Sequence, residues 1–409
     1  STETKWQIPS NSWLEGFYDY VLQSEHSDPS LPVSIFKFQV IVVVDMFCRC
    51  LGSRARRKEA CANQDINEPS LGNAKQFSYT ELGLATDYFH SSNKLGRGGF
   101  GTVYKGTLKN GTQLAVKTLS IHSKQGLGEF LTEIATMTAV KHPNLVEVIG
   151  CCVEKNNWIL VYEYVENNSL DRMLLGTKNE KLKMNWGRRS SICRGIAKGL
   201  TFLHEELVPH VVHRDIKASN ILLDKNFAPK IGDFGFAKLF PDDITHITTK
   251  VAGTVGYLAP EYALGGQLTM KADVYSFGVL VLEIISGRSS ARASWGGPQM
   301  LLLEWAWKLH EGGNLLQLVD PDMEEFPEEE VIRYIKVAFF CTQASAFRRP
   351  LMSQVLDMLT MQDIRIHDDQ LTPPGFFQDS KTLNKGSPAT SSTGPGMSSS
   401  TIITEVSPR

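Results

Sequence analysis

The stretch "VVHRDIKASNILL", residues 211–223, sets a carboxylate, an ammonium and an amide at Asp215, Lys217 and Asn220 between two apolar runs. A second carboxylate, Asp233 in "IGDFGFAK", follows thirteen residues after Asn220. Groups of these types at this spacing make either a working catalytic loop or a buried charged turn. Alone they do not decide, because an Asp two places before a Lys is an ordinary surface ion pair. Asp233 precedes Phe234-Gly235, where a strand, a tight turn and a glycine put a carboxylate at a mobile edge.

The elements that would position these groups start far upstream. "LGRGGFGTVYKG" carries Gly96, Gly98 and Gly101 in GxGxxG spacing, a weak signal by itself that nucleotide-binding Rossmann folds share. A Rossmann fingerprint must open a helix. Here "TVYKGTL" alternates like a strand, Asn110-Gly111 supplies a hairpin signal and "TQLAVKTL" alternates again, so the glycines sit between antiparallel strands. Their missing side chains let a hairpin backbone lie over polyphosphate oxygens, with Val103 closing over a flat apolar base. No GxxxxGK[ST] occurs, which excludes a P-loop NTPase.

Lys117, on the third strand, points an ammonium at nucleotide phosphates if its register faces inward; otherwise it is a plain surface lysine. The inward reading gains from Glu133 in "GEFLTEIATM", where Phe130, Ile134 and Met137 mark the buried face of a helix and Glu133 lies beside it. A half-buried carboxylate requires a cation. Glu129 competes for the same partner but is expected on the more solvent-facing side of the stripe, which favours Glu133.

Composition fits a large two-lobed domain with extensions: 409 residues, 42% hydrophobic and 21% charged. A net charge of −2 gives no basic excess and no reason to expect nucleic acid. The seven cysteines show no CxxC and no zinc-like spacing, which fits a reducing cytoplasmic compartment. In residues 33–58 an apolar run precedes a basic cluster, as in a stop-transfer sequence. Lys37, Asp45 and Arg49 interrupt it, and each mid-helix charge costs about 2.5–3.5 kcal/mol where each Val, Ile or Phe returns about 0.3–0.6. A spanning helix is therefore not expected.

Residues 1–75 read as a disordered arm, and its "MFCRCLGSRARRK" segment (46–58) suits either S-acylation of Cys48 and Cys50 beside anionic lipid or a solvated basic stretch with idle thiols. Met46 reads like a natural start. A Ser/Thr/Pro-rich stretch, 362–409, is expected to be a disordered tail.

Six motifs in order, GxGxxG, the third-strand Lys, the helix Glu, HRDxKxxN, DFG and "APE" at 259–261, resemble the protein kinase signature set. The resemblance covers residues 85–361 and implies an α+β, two-lobed fold: an N-lobe (85–164) with an antiparallel sheet and one helix, and a mainly helical C-lobe (165–361). It implies an enzyme transferring phosphate from ATP with Mg²⁺. Asp215 would accept or orient the proton of the attacking hydroxyl, Lys217 would steady the γ-phosphoryl charge, and Asn220 with Asp233 would hold Mg²⁺. Nucleotide contacts would come from Gly96, Gly98, Gly101, Val103, Ala115, Lys117 and Glu133, and from backbone groups of Glu163 and Val165, with Tyr162 guarding the rear of the pocket.

Lys217 in "RDIKASN" and Thr254 in "GTVGYLAPE" match the serine/threonine type, Thr254 bonding Asp215 and Lys217. Asp273 would support the catalytic loop from below, and Glu261 would pair with Arg349. Arg214 is a cation awaiting an anion. Phosphorylation of Thr249, or next Thr248, would supply it and order the segment, with Lys238 as a second cation. Tyr162 and stretches such as "GYLAPEYALGGQLTMKADVYSFGVLVLEIISGR" resemble the Pelle-like, interleukin-receptor-associated group, and within it plant receptor-like cytoplasmic kinases of the cold-responsive type. Protein substrates, an upstream receptor kinase and peripheral attachment at the plasma membrane are the implied partners and setting. The competing classes are a scaffold whose kinase fold no longer turns over, which should lack catalytic residues, and a fragment of a membrane-spanning receptor.

Overall fold

The computed structural model describes residues 75–98, 101–119, 124–138, 140–154, 157–176, 182–241, 244–290, 301–361 and 368–375. Cys48, Cys50 and the basic segment lie outside them.

The first lobe is a six-stranded sheet in the order β1-β5-β6-β4-β3-β2. Its strands are β1 (Lys75–Gln76), β2 (Lys94–Arg97), β3 (Gly101–Thr107), β4 (Gln113–Leu119), β5 (Val148–Glu154) and β6 (Asn157–Glu163). All pairings are antiparallel except β1 with β5. The Asn110-Gly111 turn forms as the sequence predicts: Gly111 takes φ 85° and donates to Leu108 O at 2.8 Å. Left-handed backbone of this kind strains any residue with a Cβ, so glycine is the natural occupant.

Two helices flank the sheet where one was expected. The long one is α2 (Lys124–Met137); the extra one is the short α1 (Tyr79–Ala85). Ser78 caps α1 by accepting from Glu81 N at 3.0 Å, and Phe77 and Leu82 are buried with Leu114, Val116 and Val161. The packed lobe therefore includes the ten described residues before the expected boundary at 85. A two-turn helix with a single apolar face carries too little periodicity to announce itself.

The second lobe is mostly helical. Its helices are α3 (Leu170–Leu175), α4 (Trp186–Thr201), α5 (Pro260–Gly265), α6 (Met270–Ser286), α7 (Leu302–Glu311), α8 (Glu328–Cys341) and α9 (Met352–Thr360). α6 starts at the Thr269 cap and ends at Gly287, with φ 63°, and every residue from Ala272 to Ser286 is buried. A helix apolar on all sides needs partners all round; α4, α7 and α8 supply them. Arg189 of α4 is fully buried, donating to Asp320 Oδ2 at 2.6 Å and Ile284 O at 2.7 Å. Short strand pairs, β7 (His210–Val212) with β10 (Lys238–Phe240) and β8 (Ile221–Leu223) with β9 (Pro229–Ile231), frame the loops facing the sheet. A third pair, β11 (Ile247–Thr248) with β12 (Gln267–Leu268), ties the 244–254 segment to α5.

Residues 368–375, expected within the disordered tail, are instead packed on the second lobe. Leu371 is buried, Pro374 bridges Gln343, and Tyr275 OH donates to Gly375 O at 2.7 Å. Two prolines cut the conformational entropy lost on ordering, which composition counted over the whole tail hides.

Candidate active site

Lys117 sits on β4 opposite Val103 of β3 and Leu160 of β6. Its ammonium bridges two carboxylates, Glu133 Oε1 on α2 and Asp233 Oδ1 beyond β9, each at 2.7 Å. Burial opposes its charge, but the two carboxylates outweigh burial and raise its pKa. Surrounding protein atoms oppose ionisation of Asp233, although its side chain keeps 52% of its surface exposed, and Lys117 overrides them, pulling the carboxyl down to about 2. Burial pushes Glu133 up to about 7 against the pull of Lys117. The Tyr162 hydroxyl donates to its other oxygen, so this β6 tyrosine also orients the helix carboxylate.

Glu129 departs from its expected place. It is 5% exposed, and burial pushes its carboxyl up to about 8. The cover comes from Gly235: a Cβ there would lie 3.1 Å from Glu129 Cγ. No property of the helix itself reveals a neighbour more than a hundred residues downstream. Its Oε1 has no hydrogen-bond partner.

The catalytic-loop candidates converge on Asp215, which is 5% exposed. Thr254 donates to its Oδ1 at 2.7 Å, and Lys217 contacts its Oδ2 at 2.7 Å and Thr254 Oγ1 at 2.8 Å. Asn220 donates through Nδ2 to the Asp215 carbonyl at 2.8 Å and to its Oδ2 at 3.1 Å. Beneath, fully buried Asp273 accepts from the backbone N–H groups of His213 and Arg214 at 2.7 and 2.8 Å and pairs with His204 Nε2 at 2.9 Å. His213 Nδ1 accepts from Asp215 N, which leaves Nε2 to donate to Gly232 O at 3.1 Å. Its ring also meets the edge of buried Phe234 at 4.6 Å. His213 carries no sequence signal beyond the HRD triplet, and His204 carries none, since its partner Asp273 is distant in the chain.

Around the opening, Gly98 N donates to Gly101 O at 2.9 Å. Gly101 is required by a close approach, because a Cβ there would lie 2.2 Å from Thr118 O; at Gly98 it would meet nothing within 4 Å. Gly96 pairs with Val103, and Ala115 with Tyr162. Glu163 ends β6, its N–H donating to Glu147 O at 3.1 Å, and Val165 lies two residues beyond it.

Arg214 is already engaged, although no carboxylate pairs with it among the described residues. Its guanidinium donates to Phe236 O at 3.2 Å, Lys250 O at 2.7 Å and Tyr262 OH at 2.5 and 2.9 Å. Thr249 lies one residue before Lys250 and donates its N–H to Gly266 O; Thr248 is exposed on β11. Glu261 and Arg349 form a two-bond pair at 2.7 and 2.8 Å.

A two-lobed fold with a Lys–Glu pair in its first lobe, an ion pair from that lysine to Asp233 across the lobes, and an aspartate held by threonine and lysine defines a protein kinase. Residues 89–359 match the family described as protein tyrosine and serine/threonine kinase, and the chain belongs to it. It is similar to cold-responsive protein kinase 1 of Arabidopsis thaliana, 49% identical over 347 residues that cover 84% of this chain and 88% of that protein. Two probable LRR receptor-like serine/threonine-protein kinases of the same plant are 49% and 52% identical, over 80% and 69% of this chain. The chain spans only 31% and 30% of their lengths. It is a serine/threonine protein kinase of the plant receptor-like type. Among the described residues no helix is long and apolar enough to cross a membrane.

Proposed function

We propose that the chain transfers the γ-phosphoryl group of Mg²⁺-bound ATP to serine and threonine hydroxyls of proteins, and to its own activation segment. The supporting observation is the Asp215–Lys217–Thr254 cluster, in which one carboxylate is oriented by a hydroxyl and an ammonium. In the reaction, a bond forms from the substrate oxygen to the γ-phosphorus, the bond to the ADP oxygen breaks, and the hydroxyl proton passes to Asp215. Lys217 steadies charge on the non-bridging oxygens. Asn220 uses Nδ2 toward Asp215, which leaves its Oδ1 for a cation; Asp233 has one oxygen on Lys117 and a side chain 52% exposed. Two hard oxygens fit Mg²⁺, which supplies charge neutralisation on the phosphates. Open space at Gly98 suits a phosphate lying close to the backbone, and Lys117 would reach toward the same phosphates.

Phosphorylation at Thr249, or next Thr248, would place an anion beside Arg214, whose present acceptors are all neutral. The receptor-like relatives suggest an upstream receptor kinase and stress or receptor-linked signalling, and acylated Cys48 and Cys50 would hold the chain at the membrane surface. Purified protein with Mg²⁺-ATP should label itself on Ser and Thr, and Asp215→Asn should slow this about 10²–10⁴-fold, with Lys117→Arg also impaired. Equal labelling by both variants overturns the mechanism. Unchanged activity after alanine at both Thr248 and Thr249 removes the switch alone.

A further inference from the structure

The packed strap at residues 368–375 carries a Thr-Pro pair. Thr372 is half-buried, Pro373 exposed and Leu371 buried. Thr372 Oγ1 donates to Gln343 Oε1 at 3.1 Å, and Gln343 is 2% exposed. Gly375 closes the strap by donating to Thr342 O at 3.2 Å, and a Cβ on it would come within 2.8 Å of Pro260 Cγ and 3.0 Å of Ala344 Cα.

The residues beneath the strap are those that hold Arg349. Arg349 Nε donates to Gln343 O at 2.8 Å, and Nη2 to Ala344 O at 3.4 Å. Its guanidinium lies 5.0 Å from the ring of Tyr275, whose hydroxyl bonds the strap at Gly375. Arg349 in turn carries the two-bond pair with Glu261 on α5, the helix that closes the activation segment. Strap and segment thus share one anchor.

We propose that Thr372 is a phosphoacceptor for a proline-directed protein kinase, and that phosphate there lifts the strap and loosens the Arg349–Glu261 anchor. A residue before proline is biased to extended backbone, and proline brings no N–H for an enzyme to satisfy. The modifying enzyme joins Thr372 Oγ to the γ-phosphorus of ATP, ADP leaves, and the hydroxyl proton goes to that enzyme's carboxylate. The product carries three acceptor oxygens and a charge of about −1.5 to −2 where a single proton was donated to an almost sealed amide oxygen. Among the described residues no lysine or arginine hydrogen-bonds the strap to receive it.

The test uses the full-length Asp215→Asn chain with Mg²⁺-ATP and a purified proline-directed kinase, so that labelling does not depend on the chain's own activity. The other Ser/Thr-Pro pairs, Ser387-Pro388 and Ser407-Pro408, are removed by alanine at both serines. Mass spectrometry should find phosphate on Thr372, abolished by Thr372→Val and reduced by Pro373→Ala. Amide exchange of the phosphorylated chain should then rise about tenfold in 342–349 and in α5. Tyr275→Phe, which frees Gly375 without phosphate, should speed exchange at the strap and, less strongly, in 342–349. Absence of phosphate at Thr372, or phosphate with exchange in 342–349 and α5 unchanged, overturns the proposal.

Discussion

The catalytic loop and the activation segment meet at Arg214 and are held in opposite ways. Loop residues 213–220 are fixed through their backbone to a fully buried carboxylate, Asp273, and through side chains that bond one another. The segment at 244–254 is tied at Ile247–Thr248 by β12 and at Thr254 by Asp215, and between them the Arg214 guanidinium reaches Lys250 O, its carbonyl and hydroxyl acceptors leaving its charge uncompensated. Non-glycine residues with left-handed backbone stand at both junctions, Arg214 with φ 71° and Asp233 with φ 64°. Such conformations cost about 1–3 kcal/mol and persist only where surroundings over-determine them. The catalytic loop is thus built onto the core, while the stretch around Lys250 is braced by a guanidinium whose bonds an incoming anion could redirect.

The largest effect should come from breaking the rigid side. Asp273→Ala leaves two buried N–H groups and His204 without their acceptor and is expected to destabilise the lobe by about 3–5 kcal/mol, read as a lowered denaturation midpoint with phosphotransfer lost. A fall below about 1 kcal/mol would mean that the loop is held elsewhere. On the other side, Arg214→Ala keeps the backbone bonds to Asp273 and removes only the side-chain brace. Its cost should be about 1–2 kcal/mol, and amide exchange should quicken in 244–254 but not in 215–223. Equal quickening in both stretches would erase the distinction between them.

The contrast also explains what the sequence discloses. Lys117 with Glu133, and Asp215 with Lys217 and Asn220, are legible because each set is carried by local elements whose period or spacing is visible. Phe77 and the α1 helix, by contrast, gain their burial from strands 30 or more residues away. The ordered part of the tail depends on Gln343 and Tyr275, and Glu129 is covered by Gly235. Helical period assigned Glu129 to solvent because it sees one helix, whereas burial is decided by whatever packs on top. Arg214 was legible as a cation; that carbonyls already occupy it was not.

Per pH unit Glu129 yields the smallest effect, and it gives the finest measure of how rigid the interlobe side is. Its folded pKa of about 8 exceeds the usual carboxylate value, so between those values the folded chain holds a proton that the unfolded chain has released. Its contribution is therefore complete at acid pH and is lost as pH rises toward 8, by at most about 1.4 kcal/mol per pH unit. Glu129→Gln removes the ionisation while keeping the shape against Gly235. The variant should match the wild-type chain near the unfolded carboxylate range and become relatively more stable with each step toward pH 8, in denaturant midpoints measured at several pH values. A constant difference across that range would show that Glu129 ionises freely, and that the helix and Gly235 part readily enough to admit water.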